Sequence, residues 1–432
     1  MKCRILCLLL LSCGLSAVQA AADSRFIVRD PAGLTALQQI CVTLGCNVSG
    51  GLDGSLGKVF LVTAPALVDP NTFLQTLRAQ PGVTNAELDA LLKVMQATAS
   101  TPPSGLSDTT AVNYFGVSVW HGYPAQPAST IIRLPDTQSA FSASGAGIVA
   151  VIDTGVDPTH PVLQAVLVPG QDFTRNISGS GSELPDVDQS SIGPNASPLM
   201  VNQSTAAVLD QWSGANLSQS QYAAFGHGTM VAGIVHLVAP TAQIMPLKAF
   251  GADGSGYLSN VVRAIYFAAQ NGANVINMSF SVATYSQEMV SAIKFASRHQ
   301  VICVASAGND SQDEFVYPAA LGSVMGVAST TNNDTLSSFS NYGSNVVWVA
   351  APGEGVITTY PFGTYAAGWG TSFSAPQISG AAALLLGINS DCNESCAEQS
   401  LAHADPISAD VGNGRLDLYQ AVSAWRQSLG LQ

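Results

Sequence analysis

Six short apolar runs in the second two thirds of the chain restrict its fold more than any other feature. They occupy residues 147–152 (Gly-Ile-Val-Ala-Val-Ile), 243–247, 275–278, 301–305, 325–328 and 346–350, and none has the regular polar alternation of a sheet with one wetted face. A strand that is apolar on both sides must be covered on both sides, which is the condition of a parallel sheet between two layers of helices. Patterns with helical spacing lie between several of the runs, as at 259–271 and 287–298. Strand and helix alternating in this way predict an α/β fold with a doubly wound, mostly parallel sheet, whose chemistry gathers at the carboxyl ends of the strands.

The chain ahead of this sheet reads differently. Residues 1–20 place Lys2 and Arg4 before a short apolar core and end on small residues, the pattern of a secretory signal peptide with cleavage near 20–22. A second reading of the same segment takes Leu10-Leu11-Ser12-Cys13-Gly14 as a lipobox-like stretch that would put a lipid anchor on Cys13. Either way the protein is expected outside the cytoplasm, secreted or periplasmic. Although 47% of residues are apolar, no later run reaches the roughly 18 residues that a spanning helix needs, so no transmembrane segment is expected. Residues 21–98 show short strands at 26–28, around Asn47, at 58–63 and near Leu91, with amphipathic helices at 34–44 and 72–79. That order predicts a small α+β, ferredoxin-like domain. Pro102 and Pro103 sit in a breaker-rich stretch, so 99–144 is expected to be a linker and an N-terminal arm before the main domain at 145–428.

Charge narrows the partners. Fifteen Lys and Arg against 28 Asp and Glu give −13, and from Thr101 on there are eight basic and 22 acidic residues. Such a surface does not neutralise phosphates, which excludes nucleic acid as a partner, and a monomer is expected. Export permits disulfides, for which Cys41 with Cys46 and Cys392 with Cys396 are close-spaced candidates, leaving Cys303 as an inert buried thiol. No Cys/His spacing suits zinc.

Four motifs carry chemistry. Asp153 follows the first apolar run directly, opening Asp153-Thr154-Gly155. His227 stands in Gly226-His227-Gly228-Thr229, where the glycines would leave the imidazole uncrowded; Ser372 stands in Gly370-Thr371-Ser372 before a helix of small residues; Asn309 ends Ala307-Gly308-Asn309 after another run. Singly, each reads as a turn or helix cap. Jointly they supply a nucleophile, a base, a carboxylate to orient the base and an amide donor for an oxyanion, all at strand ends or helix starts.

In the order Asp, His, Ser, with D-T-G…H-P, G-H-G-T, A-G-N and G-T-S-x-x-A-P, the chain resembles the subtilisin-like serine proteases over residues 145–425. The resemblance implies an endopeptidase in which Ser372 attacks, His227 is general base, Asp153 orients His227 and Asn309 stabilises the oxyanion. It also implies that a polypeptide substrate adds as a strand between Gly254-Ser255-Gly256 and Ser279-Phe280-Ser281, and that 25–95 is a propeptide that assists folding and inhibits the enzyme until self-cleavage between about 92 and 110. Phe373, Trp369 and Ser281 depart from the family pattern, the last at the glycine that usually borders the first specificity pocket. These departures keep open a catalytically silent binding protein of the same fold; a secreted esterase is disfavoured because no G-x-S-x-G elbow is present. The stretch 176–221 reads as a surface excursion, and Asp186, Asp188 and Asp210 in it do not form a calcium loop. No cofactor is required by this chemistry, no metal site is assigned, and calcium stays possible.

Overall fold

The computed structural model describes residues 24–65, 67–93, 97–98, 100–187, 198–202, 205–208 and 219–431. The leader with Cys13, and Asp188 and Asp210, lie outside the described residues.

The predicted runs supply six consecutive strands of an eight-stranded sheet, out to one edge. In space the order is Ile177–Ser178, Gln171–Asp172, Gln243–Lys248, Ile148–Asp153, Val275–Met278, Ile302–Ser306, Met325–Thr330 and Val349–Pro352. All neighbours are parallel except the short first pair. Both faces are covered, as the absence of alternation required. Val149, Val151, Val304 and Val327 point into one core with helices His227–Val238 and Thr371–Ile388. Ala150, Ile152, Cys303 and Ala305 point into the other, with helices Leu258–Gln270 and Gln287–Arg298. Sequence order reverses at Ile148–Asp153, whose neighbours are the next two long strands of the sheet, one on each side. In an open α/β sheet such a switch point is where a ligand crevice forms, here at the carboxyl ends of Ile148–Asp153 and Val275–Met278.

A second, antiparallel sheet went unforeseen. Glu354–Tyr360 pairs with Thr364–Trp369, which pairs in turn with Thr205–Val208. It delivers the chain directly to Gly370 and Ser372. In the stretch expected as linker and N-terminal arm, Leu106, Tyr114, Val119, Tyr123, Ile132 and Leu134 are all buried in the main core. Trp369 is likewise a core residue, 4% exposed. Both close-spaced cysteine pairs are disulfides, and Cys303 is buried with its thiol pushed up by desolvation.

Residues 24–88 form a four-stranded antiparallel sheet in the order Asn47–Gly51, Val59–Thr63, Arg25–Arg29, Asn85–Leu88, with helices Leu34–Leu44 and Pro70–Arg78. Phe26, Val28, Leu37, Phe60, Phe73 and Leu77 give this unit a core of its own. Asp69 caps the second helix through Thr72 N, with proline at the first turn. The strand expected near Leu91 does not belong to this sheet. Leu91–Lys93 pairs antiparallel with Ser255–Tyr257 of the large unit, while Asn85–Leu88 forms the edge of the small sheet.

Candidate active site

Asp153 ends its strand at the switch point, 2% exposed. Its Oδ1 accepts from Thr154 N and from His227 Nδ1, each at 2.7 Å. With a carboxylate accepting there, Nδ1 carries the ring proton and Nε2 keeps a lone pair. His227 is the first residue of its helix, 3% exposed. Burial alone disfavours the imidazolium, but the Asp153 carboxylate outweighs it and holds His227 above its ordinary value.

The glycines around His227 serve packing, not an open imidazole. A Cβ on Gly226, whose φ is +86°, would meet the Tyr360 ring at 2.3 Å, and one on Gly228 would meet the Gly155 carbonyl at 2.0 Å. Only glycines allow the helix start to close on the Asp153-Thr154-Gly155 turn.

Ser372 is the second residue of helix Thr371–Ile388 and is 3% exposed. Phe373 beside it sets its ring 5.5 Å from the imidazole of His227, which brings the serine's helix start to the histidine. Pro376 lies one turn on and has no N–H to offer the Ser372 carbonyl. Ser279 Oγ donates to that carbonyl instead, at 2.9 Å, and Ser372 Oγ donates back to the Ser279 carbonyl at 3.0 Å. Asn309 Oδ1 accepts from Thr371 N at 2.9 Å and Thr371 Oγ1 at 3.0 Å, which turns its Nδ2 away from that contact as a donor.

Of the candidate substrate residues, Gly254 has φ +78°, and Ser255, Gly256 and Tyr257 offer the edge that Leu91–Lys93 occupies. Ser279, Phe280 and Ser281 are buried, and Ser281 Oγ lies 3.3 Å from where a Cβ on Gly308 would stand. Sequence reasoning missed Glu183, a fully buried acid behind the Asp153–His227 pair. Nothing adjacent in sequence marks it. Among the described residues, no group of three or more His, Cys, Asp or Glu is gathered to hold a metal ion, and no helix is long and apolar enough to cross a membrane.

Comparison with known proteins agrees with this geometry. Residues 145–414 match the model of the subtilase family, Peptidase S8. Thermitase from Thermoactinomyces vulgaris is 32% identical over 303 residues, 67% of this chain and 93% of thermitase. Subtilisin DY from Bacillus licheniformis is 39% identical over 260 residues, 58% of this chain and 81% of the relative. The crystal structure of a lanthipeptide protease shares the fold, with a TM-score of 0.54 at 23% identity, covering 68% of this chain and 94% of that one. With a buried Asp153–His227 pair at the switch point and the family's model matched across more than half of its length, the chain belongs to the subtilase family and is a serine endopeptidase.

Proposed function

We propose that Ser372 is the nucleophile, His227 the general base, Asp153 the group that orients it and Asn309 an oxyanion donor. The observation that carries this reading is the 2.7 Å bond between Asp153 Oδ1 and His227 Nδ1, which leaves Nε2 as the proton acceptor. The Ser372 hydroxyl turns from the Ser279 carbonyl to Nε2 as substrate binds; contacts to a nucleophile are often reset in this way. Ser372 Oγ then adds to the substrate carbonyl while its proton passes to Nε2. The oxyanion so formed takes hydrogen bonds from Asn309 Nδ2 and Ser372 N. Collapse expels the amine, which takes the proton from His227 and leaves an acyl-enzyme; water repeats the sequence to release the acid. The proton transfers run among Ser372, His227, the leaving amine and water and require no cofactor.

Residues 21–98 act in this reading as an inhibitory propeptide that the enzyme removes from itself. Lys93 pairs with Ser255 on one side of the site, and Ala97 Cβ lies 3.8 Å from where a Cβ on Gly370 would stand on the other. Chain on both sides of the site supports self-cleavage between about residues 92 and 110. Substrates are polypeptides that occupy the same edge, and the enzyme is exported. The test is labelling of the propeptide-free protein by a fluorophosphonate. Labelling is expected in the wild type and absent in Ser372→Ala, which also keeps the propeptide attached. A folded, propeptide-free wild type that does not label overturns the reading in favour of a silent binding protein.

A further inference from the structure

Glu183 comes from the stretch 176–221 that its polar composition marks as a surface excursion, yet part of this segment runs beneath the active site. Gly181, Glu183 and Val187 are buried, and the Gly181 carbonyl accepts from Val156 N at 2.9 Å. Glu183 Oε2 accepts from Gly226 N at 2.8 Å and from Thr154 Oγ1 at 3.2 Å, while Oε1 accepts from Thr229 Oγ1. The two hydroxyls are used twice. Thr154 Oγ1 accepts from Gly228 N at 3.0 Å, and Thr229 Oγ1 accepts from Asp157 N at 2.8 Å. Each threonine thus gives its one proton to Glu183 and takes an N–H from the opposite motif. The strand end that carries Asp153 and the helix start that carries His227 meet through this one carboxyl group.

We propose that Glu183 is a positioning residue of the active site, setting the Asp153 strand end against the first turn of the His227 helix through Thr154, Thr229 and the Gly226 amide. The inference rests on the roles proposed above for Asp153 and His227. An acid so enclosed must be satisfied by designed donors, since a buried carboxyl without them is strongly disfavoured. The charged and titratable groups that face it are Asp153, His227, Lys248 and the phenol of Tyr360. Lys248 is fully buried and donates to the carbonyls of Thr154 and Phe250, each at 2.7 Å, and to Asp186 at 2.6 Å; Asp186 also pairs with Arg175 at 3.1 Å. Desolvation pushes the Glu183 carboxyl up to about 8 against the pull of its donors and Lys248.

The experiment compares kcat and KM of mature wild type and Glu183→Gln on a chromogenic peptide from about pH 5 to about pH 10. Glutamine keeps the volume, has no proton to lose and turns an NH2 toward one of the donors. The expected result is a fall in kcat of about 10- to 100-fold with KM within about twofold. A kcat equal to wild type overturns the proposal, as does a loss that appears in KM and not in kcat. If Glu183→Gln does not fold, Thr229→Val and Thr229→Ser decide: the valine lowers kcat and the serine restores it, whereas equal rates in both overturn it. Ser372→Ala run beside them tests the underlying reading separately. Activity retained there overturns the triad, while an inactive Ser372→Ala with an unaltered Glu183→Gln overturns only the role of Glu183.

Discussion

His227 and Asn309 each hold one orientation because a neighbour consumes their other end. The Asp153 carboxylate fixes the His227 tautomer and raises its proton affinity. A base with a raised value is neutral only at higher pH, so activity should fall as pH drops through a midpoint on the alkaline side of the ordinary 6.5. A kcat/KM profile measures this, and a flat acid side would remove His227 from the role of base. Thr371 performs the same service for Asn309 by occupying Oδ1. Asn309→Ala should lower kcat by roughly 10²- to 10³-fold with KM much less changed, as single-turnover and steady-state rates would report. The motifs made Asp153, His227, Ser372 and Asn309 legible because each is a chemical type beside glycine or a small residue in the family's order. Glu183 was not legible, since its partners lie 29 to 46 residues away and meet it only through folding.

The helix that begins at Thr371 shows how an element accommodates its own defect. Pro376 removes the N–H that would bond the Ser372 carbonyl, yet it stands inside the helix where Ser279 supplies a replacement donor at 2.9 Å. Ser279→Ala should leave that buried carbonyl unpaired and cost about 1–3 kcal/mol of stability, read from urea unfolding of the Ser372→Ala precursor to avoid self-digestion. Unchanged stability would mean that the carbonyl finds another donor. Strand and helix locations in the main sheet were legible from apolar runs and helical spacing; helix Gln287–Arg298 matches its predicted bounds. The antiparallel pair Glu354–Tyr360 and Thr364–Trp369 was not, since it is buried on both faces and so lacks the alternation by which a hairpin is read.

For the whole molecule, the contact between the two units is built from helix ends. Asp89 accepts from Ser259 N at 2.7 Å at the start of helix Leu258–Gln270 and pairs with Arg25 at 2.8 Å. Glu87 accepts from Gln287 N at 3.0 Å and Ser286 Oγ at 2.5 Å at the start of helix Gln287–Arg298. Arg29 pairs with Glu288 at 2.6 Å in the same helix. Carboxylates at exposed helix starts satisfy free N–H groups and meet the positive end of the dipole. The isolated segment 21–98, which has its own core, should therefore inhibit the mature enzyme when added in trans, and Asp89→Ala should weaken that inhibition about 10-fold. An inhibition constant unaffected by Asp89→Ala would show that the strand Leu91–Lys93 alone carries the binding. By itself the sequence determined the layered parallel sheet and the candidates for the reacting side chains, because continuous apolar runs demand cover on both faces and the motifs are local. Tertiary structure alone decided that Leu91–Lys93 leaves its own sheet for the edge at Ser255–Tyr257, and that a distant glutamate joins Thr154 to Thr229. Strand pairing and buried hydrogen bonds between separate elements depend on register and proximity, which no local pattern in the chain encodes.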